Sequence, residues 1–264
     1  MATQANPPRP LVAGNWKMNG LAKPGLGEAK RLLALIARHK AARRKLAVDV
    51  AICPAASLLG VLRPALKGSA VALGGQDCGT AASGAFTGDI AAGMLKEAGA
   101  KYVIVGHSER RHGAKHGHAE TDAVVKAKAE QAHAVGLVAI VCVGETLAER
   151  DADRTLDVVA SQLDGSLPAA ADAANTVVAY EPVWAIGSGR TPTLEEIGAV
   201  HAAMRRRLGA RGRGMRLLYG GSVKGSNAAE ILRVPDVNGA LVGGASLTAA
   251  DFWPIVLGAT GGSV

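Results

Sequence analysis

Aromatic residues are scarce in this sequence: they make up 3% of its 264 residues, whereas hydrophobic residues as a whole make up 48%. The core must therefore consist mainly of Ala, Val, Leu and Ile. A chain of this length has room for one large α/β domain or two smaller ones, and it can bury a core amply large for stability. The near absence of aromatics also leaves few side chains on which nucleic-acid bases could stack.

Cysteine is also rare, with three residues, Cys53, Cys78 and Cys142. An odd number in apolar or loop contexts argues against a disulfide framework and favours a reduced, cytoplasmic protein. No Cys and His pair has the spacing of zinc ligands, so we expect no metal site. No run of about 18 apolar residues occurs, and residues 1–10 lack the apolar segment of a signal peptide. We therefore expect a soluble protein with no membrane partner and a flexible N-terminal lead-in over residues 1–10.

Basic residues outnumber acidic ones, 30 against 22, which gives a formal net charge of +8. The arginines concentrate in residues 205–216, a stretch expected to end one helix and precede the next strand. Cations at a helix C-terminus complement the helix dipole, and no aromatic residues interleave with these arginines. We therefore expect no nucleic-acid partner, and we interpret the charge as a general attraction for anionic substrates.

Short apolar runs alternate with segments of helical periodicity eight times, with no break in composition between them. Eight is the number of units that closes a (β/α)₈ barrel, and about 250 residues is the usual size of that fold. A doubly wound sheet would instead show a G-x-G-x-x-G turn after its first strand, which this chain lacks. We therefore predict a single-domain (β/α)₈ TIM barrel over residues 11–258, followed by a tail over residues 259–264. The predicted strands are residues 11–17, 48–53, 71–75, 102–106, 137–143, 178–181, 215–219 and 238–242, and the main helices are about 27–43, 55–66, 89–98, 120–134, 147–163, 193–208 and 249–257.

Polar side chains follow several of these strands, at the end of the barrel where this fold places its active sites. Asn15 and Lys17 come at the end of the first strand, where alternation predicts that they point to the same side. His107 follows the fourth strand and Glu181 ends the sixth. Each alone has an ordinary explanation: Lys17 could form a rim salt bridge and His107 could be a hydrogen-bonded core histidine.

Glycine turns follow the last two strands, at residues 220–222 and 243–244. They could be simple turn chemistry, but this is also where a barrel most often builds a phosphate site from backbone N–H groups. Glu181 is followed by a glycine-punctuated loop with an apolar centre, which suggests a base beneath a movable lid. Together these features suit proton abstraction next to a carbonyl on a small phosphorylated molecule. No metal ligands and no dinucleotide motif are visible, so hydride transfer is not expected.

Five segments carry a highly specific set of motifs, in order and at matching spacing: residues 13–19 (AGNWKMN), 105–111 (VGHSERR), 179–189 (AYEPVWAIGSG), 219–223 (YGGSV) and 241–247 (LVGGASL). Together they resemble the triosephosphate isomerase family, from about residue 11 to residue 257. The resemblance implies an aldose–ketose isomerase that interconverts dihydroxyacetone phosphate and D-glyceraldehyde 3-phosphate through an enediol or enediolate. It further implies a role in glycolysis and gluconeogenesis, without a cofactor.

The resemblance also implies a role for each matching residue. Glu181 would be the base, His107 the electrophile that polarises the carbonyl, Lys17 the cation that stabilises the charge, and Asn15 a residue that shapes the site. The supporting residues would be Ser108, which holds the base in the open state, Glu109, which packs near Lys17, and Cys142. Phosphate would be bound by Gly187, Ser222, Gly243 and Gly244. The lid would comprise Pro182, Val183, Trp184, Ala185, Ile186, Ser188, Gly189 and Arg190.

Three departures from the family pattern stand out. The end of the lid reads Arg190-Thr-Pro192 where the family often has Lys-Thr-Ala, and Pro192 restricts the backbone there. The segment 112–119 is about four residues longer than is common, with histidines at 112, 116 and 118 that could bind metal incidentally or simply face solvent. The segment Asp77-Cys-Gly lacks the family's frequent Asn and Tyr.

The thirteen-residue segment 76–88 has no periodicity and carries Phe86 at its tip. Long loops within compact domains are usually functional. The resemblance implies that this loop inserts beside the site of a second copy, so we expect a homodimer; the choice between dimer and tetramer stays open. Two rival functions remain: a paralogous isomerase acting on a tetrulose phosphate, and a non-catalytic phosphate-binding barrel. The intact Lys17, His107 and Glu181 argue against the second.

Overall fold

Eight parallel strands close into a barrel in the computed structural model, which describes residues 7–113, 118–186 and 190–260. Each strand pairs with its sequence neighbours, and β1 pairs with β8 to complete the ring. The predicted (β/α)₈ barrel is confirmed. The strands are β1 Leu11–Asn15, β2 Asp49–Cys53, β3 Val71–Gly75, β4 Ala100–Val105, β5 Val138–Val143, β6 Thr176–Tyr180, β7 Arg216–Tyr219 and β8 Gly239–Val242.

Helices surround this barrel in the described part of the chain. Short 3₁₀ segments lie at Val183–Ala185, Gly209–Gly212 and Gly244–Ser246. None of the described helices is long and apolar enough to cross a membrane. The helices are α1 Ala22–Ala41, α2 Ala56–Leu66, α3 Ala92–Glu97, α4 Ser108–Arg111, α5 Asp122–Ala134, α6 Leu147–Asp151, α7 Thr155–Ser166, α8 Leu194–Leu208, α9 Ala228–Ile231 and α10 Ala249–Gly258.

The core has two layers because successive residues of a strand face opposite sides of the sheet. In β1, Leu11 and Ala13 belong to a cluster drawn from alternating strand positions, which fills the barrel. Val12, between them, belongs to the larger cluster that packs the strands against the helices. All three side chains are fully buried. Burial on both faces explains why the strands read as continuous apolar runs in the sequence.

The helix predicted over residues 147–163 is in fact two helices, α6 and α7. A capping box between Thr146 and Glu149 starts the first helix. Asp153 then adopts a positive φ of 55°, a left-handed conformation that an α-helix cannot continue through. The predicted single helix was therefore wrong because the break depends on one backbone conformation that Asp tolerates and the hydrophobic pattern does not reveal.

Other helix boundaries also differ from the prediction. Helix α1 begins at Ala22 instead of about residue 27, with Pro24 in the first turn, where a missing N–H has no intrahelical partner to lose. Helix α3 is shorter than the predicted 89–98, because the segment before it has no regular structure up to Ala91. The single turns α4 and α9 were not predicted, since four residues are too few to show a period.

The chain segment before β1 is fastened to the barrel at Arg9. Its guanidinium donates to the carbonyl oxygens of Leu46 and Val48 at 2.8 and 2.9 Å, and it pairs with Asp49 at 2.7 Å. The lead-in expected over residues 1–10 is therefore anchored at this point. Residues 1–6, and residues 261–264 of the expected tail, lie outside the described residues.

Closure of the barrel depends on a glycine at the start of β8. Gly239 pairs with Leu11 of β1 and has a φ of 135°. A Cβ atom at this position would lie 1.8 Å from the carbonyl oxygen of Leu11, which is backbone and cannot move aside. Only glycine combines this conformation with such a close approach of two strands.

We predict that Gly239→Ala lowers the free energy of unfolding by at least about 2 kcal/mol, because it adds backbone strain and a clash at the strand pair that closes the barrel. Chemical denaturation monitored by circular dichroism measures this value. Gly60→Ala is the matched control: Gly60 lies inside α2, and its Cβ would meet nothing within 4 Å. That substitution should stabilise the protein by up to about 1 kcal/mol. Equal effects of the two substitutions would contradict the closure argument.

Candidate active site

A buried polar contact at the C-terminal end of the barrel joins His107 and Glu181. One glycine separates His107 from the end of β4, and Glu181 directly follows β6. The His107 Nε2 atom lies 2.9 Å from the Glu181 Oε1 atom. His107 is 6% exposed and Glu181 2% exposed, so the pair lies in a low-dielectric setting where its interaction is strong.

The backbone determines which nitrogen of His107 carries the proton. The N–H of Glu109 donates to His107 Nδ1 at 3.2 Å, in the first turn of α4. A nitrogen that accepts a hydrogen bond cannot hold a proton, so the proton of the imidazole lies on Nε2. The Nε2–H group faces Glu181 and is the only donor that this ring directs into the site.

Two donors besides His107 hold the Glu181 carboxylate. The backbone N–H of Ser108 donates to Glu181 Oε2 at 2.9 Å, and the Cys142 thiol forms a further hydrogen bond to it. Burial raises the pKa of the Glu181 carboxyl, but the effect of His107 and of these donors is larger and holds the pKa below its ordinary value. Glu181 is therefore ionised while it is buried, as a general base must be.

The protonation of His107 depends on the charge of Glu181. Burial lowers the pKa of His107, whereas the Glu181 carboxylate raises it, and the net direction is upward. Once Glu181 has taken up a proton, this charge is neutralised, and burial remains as the largest effect on the pKa of the imidazole, with smaller opposing effects of Glu109 and Lys17. The ring is then favoured in its neutral form, in which Nε2–H can donate to a substrate oxygen.

Lys17 reaches the same site through a turn. Strand β1 ends at Asn15, and Lys17 lies beyond it with a φ of 53°, so strand alternation was the wrong reason for placing the two side chains together. Asn15 is 5% exposed, and its Oδ1 accepts the N–H of Lys17 at 3.0 Å. The Lys17 Nζ atom lies 2.6 Å from Glu109, the residue that the resemblance placed beside it. Gln76 donates to the carbonyl oxygens of Lys17 and Cys53, both at 2.8 Å, and fixes this turn.

Both glycine turns lie beside these groups. A Cβ atom on Gly243 would lie 3.3 Å from the Lys17 Cε atom, and one on Gly220 would lie 2.8 Å from the Glu181 Cγ atom. Ser222 is half-buried, and a Cβ atom on the exposed Gly244 would meet nothing within 4 Å. The structure thus brings the expected phosphate turns next to the expected base and cation. Gly187, the fourth expected phosphate ligand, lies outside the described residues.

The first half of the expected lid is held against the barrel by its tryptophan. Pro182 leads into the 3₁₀ turn Val183–Ala185, and Ala185 is fully buried. The Trp184 Nε1–H donates to Glu145 at 2.8 Å, and the Arg150 guanidinium lies 4.1 Å from the centre of the indole ring. Of the other lid residues, Ile186 and Arg190 are described, and Ser188 and Gly189 lie outside the described residues.

The far end of the lid runs into α8. Thr193 caps this helix and forms a capping box with Glu196, as a threonine in this position suggests. Glu196 also pairs with Arg150, the residue that stacks on Trp184. Arg150 therefore links the first half of the lid to the first turn of α8. This role of Arg150 was not predicted, because residues 147–163 were expected to form one long helix.

Glu145 and Gln76 are site residues that sequence reasoning missed. Glu145 is fully buried and accepts hydrogen bonds from Tyr180 at 3.2 Å and Thr155 at 3.3 Å, in addition to the one from Trp184. A signal was available, since Gln76 directly follows β3 and Glu145 follows β5 after one glycine. Polar residues at the C-terminal ends of barrel strands are expected to line the active site.

The structure shows the surroundings of two of the three departures from the family pattern. Asp77 takes part in a buried ion cluster: the Lys128 Nζ atom lies 2.6 Å from both Asp77 and Glu120, and Arg110 contacts the same two carboxylates. Pro192 is buried just ahead of the Thr193 cap. In the longer segment, His116 lies outside the described residues, and among those described no three His, Cys, Asp or Glu side chains are placed to hold a metal ion.

The family model described as triosephosphate isomerase matches residues 10–259. A triosephosphate isomerase from Afipia carboxidovorans is 61% identical over 253 residues, which cover 94% of this chain and 96% of that protein. One from Brucella abortus is 56% identical over 251 residues, with 94% and 95% covered. The crystal structure of triosephosphate isomerase from Bartonella henselae has a TM-score of 0.84 at 47% identity and covers 96% of this chain and 99% of that one. The chain belongs to the triosephosphate isomerase family.

Proposed function

We propose that this chain interconverts dihydroxyacetone phosphate and D-glyceraldehyde 3-phosphate, with Glu181 as the base and His107 as the electrophile. The observation that carries this proposal is the buried His107–Glu181 pair, 2.9 Å apart, in which the backbone leaves the imidazole proton on Nε2. One group can accept a proton from carbon while the other donates a hydrogen bond to the neighbouring oxygen. The names of the relatives favour the triose over the tetrulose phosphate.

The reaction moves one proton between two neighbouring carbons. The Glu181 carboxylate removes a proton from the carbon beside the carbonyl, and the C–H electron pair forms the carbon–carbon double bond of an enediolate. The developing oxyanion accepts a hydrogen bond from His107 Nε2–H and lies in the field of Lys17. Glu181 then returns the proton to the other carbon, while the hydroxyl proton of the enediolate passes to the neighbouring oxyanion, which leaves the new carbonyl on the first carbon. No oxidant or reductant is consumed, because the substrate and the product are isomers.

The base must move before it can act. In the described structure both carboxylate oxygens of Glu181 are occupied, one by His107 and the other by the Ser108 amide. A substrate carbonyl that takes over the Nε2–H donor frees Oε1 to turn toward the substrate carbon. Gly220 leaves the space beside the Glu181 side chain that a larger residue would fill. Ser108 thus acts through its backbone N–H in holding the resting base.

Phosphate recognition and closure complete the proposal. The turns at Gly243–Gly244 and Ser222 offer backbone and hydroxyl donors within reach of a molecule bound between Lys17 and Glu181. Gly187 joins them when the lid, residues 182–190, closes over the substrate. Closure excludes water, which strengthens these interactions and protects the enediolate phosphate from losing phosphate. No cofactor takes part in this scheme.

We further propose that the enzyme serves glycolysis and gluconeogenesis in the cytoplasm. Its three cysteines are buried and unpaired, which agrees with a reducing compartment.

We propose that the functional unit is a homodimer assembled through the loop 76–88. Phe86, at the tip of this loop, is 53% exposed, and Met18, beside Lys17, is 96% exposed. Large apolar side chains exposed to this extent are unfavourable in water and typical of a surface that another subunit covers. The side chain of Gln76, the first residue of this loop, donates a hydrogen bond to the carbonyl oxygen of Lys17 and so links the loop to the site. A two-fold arrangement would let each loop cover the region of Met18 in the other subunit.

The first prediction tests the base. Glu181→Gln keeps the shape of the side chain but cannot accept the proton, so kcat should fall by at least roughly 10²–10⁴-fold. Binding of a substrate analogue, measured by calorimetry, should change far less. The matched control is Glu195→Gln, a change of an exposed carboxylate in the first turn of α8, which should leave kcat unaltered. Near-normal turnover of the Glu181 variant would refute the assignment.

A second prediction tests the lid. Replacing residues 186–189 with a tight turn should leave a folded barrel that binds phosphate analogues weakly, because the closing contacts are lost. The exposed enediolate phosphate should then eliminate, so the variant should release methylglyoxal and inorganic phosphate during turnover. Product analysis by proton NMR detects both. Clean isomerisation at the normal rate would show that this loop is not the lid.

A third prediction tests assembly. Phe86→Asp should convert dimers into monomers with an intact barrel and very low activity, because a charge cannot be buried in an apolar contact. Deleting residues 83–87 should have the same effect. Leu156→Asp is the matched control, since Leu156 is 47% exposed on α7 and should tolerate the charge as a dimer. Sedimentation velocity reports the mass of each; a monomeric wild type or a fully active monomeric variant would overturn the proposal.

A further inference from the structure

Arg111 ends the sequence motif that contains His107, yet neither the family resemblance nor the proposed reaction gives it a role. It is the last residue of α4, and its side chain is only 5% exposed. A guanidinium is always charged, so its burial is tolerated only where its N–H groups are paired. The partners of Arg111 are therefore informative about what it does.

One side of the guanidinium bridges two neighbouring strands at their C-terminal ends. Its Nε–H donates to the carbonyl oxygens of Gly106 at 3.0 Å and Cys142 at 3.1 Å. The ladder between β4 and β5 has its last pair at Val105 and Val141, one residue before each of these carbonyls. Arg111 therefore continues the connection between the two strands beyond the point where their own backbone pairing stops.

The other side of the guanidinium is fixed to two helices. Nη1 lies 2.6 Å from the Asp122 carboxylate at the start of α5, and Nη2 donates to the Ser166 hydroxyl at the end of α7 at 2.7 Å. The Ser166 hydroxyl in turn donates to Asp122 at 3.0 Å. A planar group held at both ends cannot rotate, so it sets the distance between the two carbonyls that it bridges.

Those two carbonyls lie next to the reacting groups. The Gly106 carbonyl belongs to the peptide bond that enters His107. Cys142 hydrogen-bonds to Glu181, and the carbonyl of the next residue, Val143, accepts the Glu181 backbone N–H at 2.8 Å. The strand end bearing the electrophile and the strand end supporting the base are thus tied together by one side chain that touches neither of their reacting atoms.

We propose that Arg111 is a positioning residue, which holds His107 and Glu181 at the separation required for proton transfer. The inference rests on the proposed function of this pair. An error of about 1 Å in the placement of reacting groups can lower a rate by about 10²-fold even when the altered residue lies outside the site. The contribution of Arg111 should therefore appear in kcat and not in the binding of substrate.

A purely structural role is the alternative, and Arg205 provides the comparison. Its guanidinium also links carbonyl and carboxylate groups, with bonds to Gly212, Met215 and Asp236, but near the start of β7, at the opposite end of the barrel. Loss of either arginine should destabilise the fold. Only the loss of Arg111 should disturb the His107–Glu181 geometry.

The experiment compares Arg111→Lys with Arg205→Lys in the full-length enzyme. Lysine keeps the charge but cannot span two carbonyls and two helices at once. For Arg111→Lys we expect kcat to fall by about 10–10²-fold with KM within about threefold of wild type. The Nε2–H proton resonance of His107, observed by NMR in the free enzyme, should also shift. For Arg205→Lys we expect a lower melting temperature with kcat and the His107 resonance unchanged.

Ser166→Ala is a milder variant in case Arg111→Lys does not fold, because it frees one end of the guanidinium without altering its charge. It should shift the same resonance in the same direction and lower kcat less. Unchanged kcat and an unchanged resonance in both variants, or an equal fall of kcat in Arg205→Lys, would overturn the proposal. Failure of the proposed function would look different, since the wild type itself would then not isomerise the triose phosphates.

Discussion

The site depends on one constraint: the Glu181 carboxylate is charged and almost completely buried. A carboxylate removed from water must be given hydrogen-bond donors, or it becomes protonated and ceases to be a base. The barrel supplies them from neighbouring strand ends: the imidazole of His107, the amide of Ser108 and the thiol of Cys142. The closed ring of eight strands is what brings these groups, distant in sequence, to the carboxylate, with His107 and the Ser108 amide each 2.9 Å from it.

In the proposed mechanism the same donors keep the resting carboxylate unreactive, so catalysis requires them to be exchanged. Glu181 accepts two strong hydrogen bonds that it must give up, at least in part, when substrate arrives. Because His107 Nδ1 is already occupied by the Glu109 amide, its Nε2–H donor must serve the carboxylate or the substrate oxygen in turn. In the proposed mechanism this arrangement couples substrate binding to the release of the base, and lid closure supplies the binding energy for that exchange.

The sequence predicted the fold and the positions of the proposed reacting residues better than the side chains that support them. Apolar strands and polar strand ends are local patterns, and they placed His107 and Glu181 on the correct face. Lys17 was also placed there, although through alternation in a strand that in fact ends at Asn15. The roles of Glu145 and Arg150 could not be read locally, because each acts through contacts made by segments that meet only in the folded barrel.

A comparison of Glu145 with Glu181 shows why the role of a carboxylate cannot be inferred from its position in the sequence alone. Both carboxylates follow barrel strands, and both are almost fully buried. Glu145 receives its hydrogen bonds from a phenol, an indole and a hydroxyl, the groups of Tyr180, Trp184 and Thr155. Only one of these donors, Trp184, belongs to the expected lid, and none of them offers an electrophile to a substrate. Glu181 instead faces an imidazole and lies beside the glycine turns, where a substrate carbon and its phosphate can be accommodated together. The position of a residue along its strand determines the end of the barrel at which it lies. The hydrogen-bond donors around a carboxylate determine whether it holds neighbouring segments in place or is available to react.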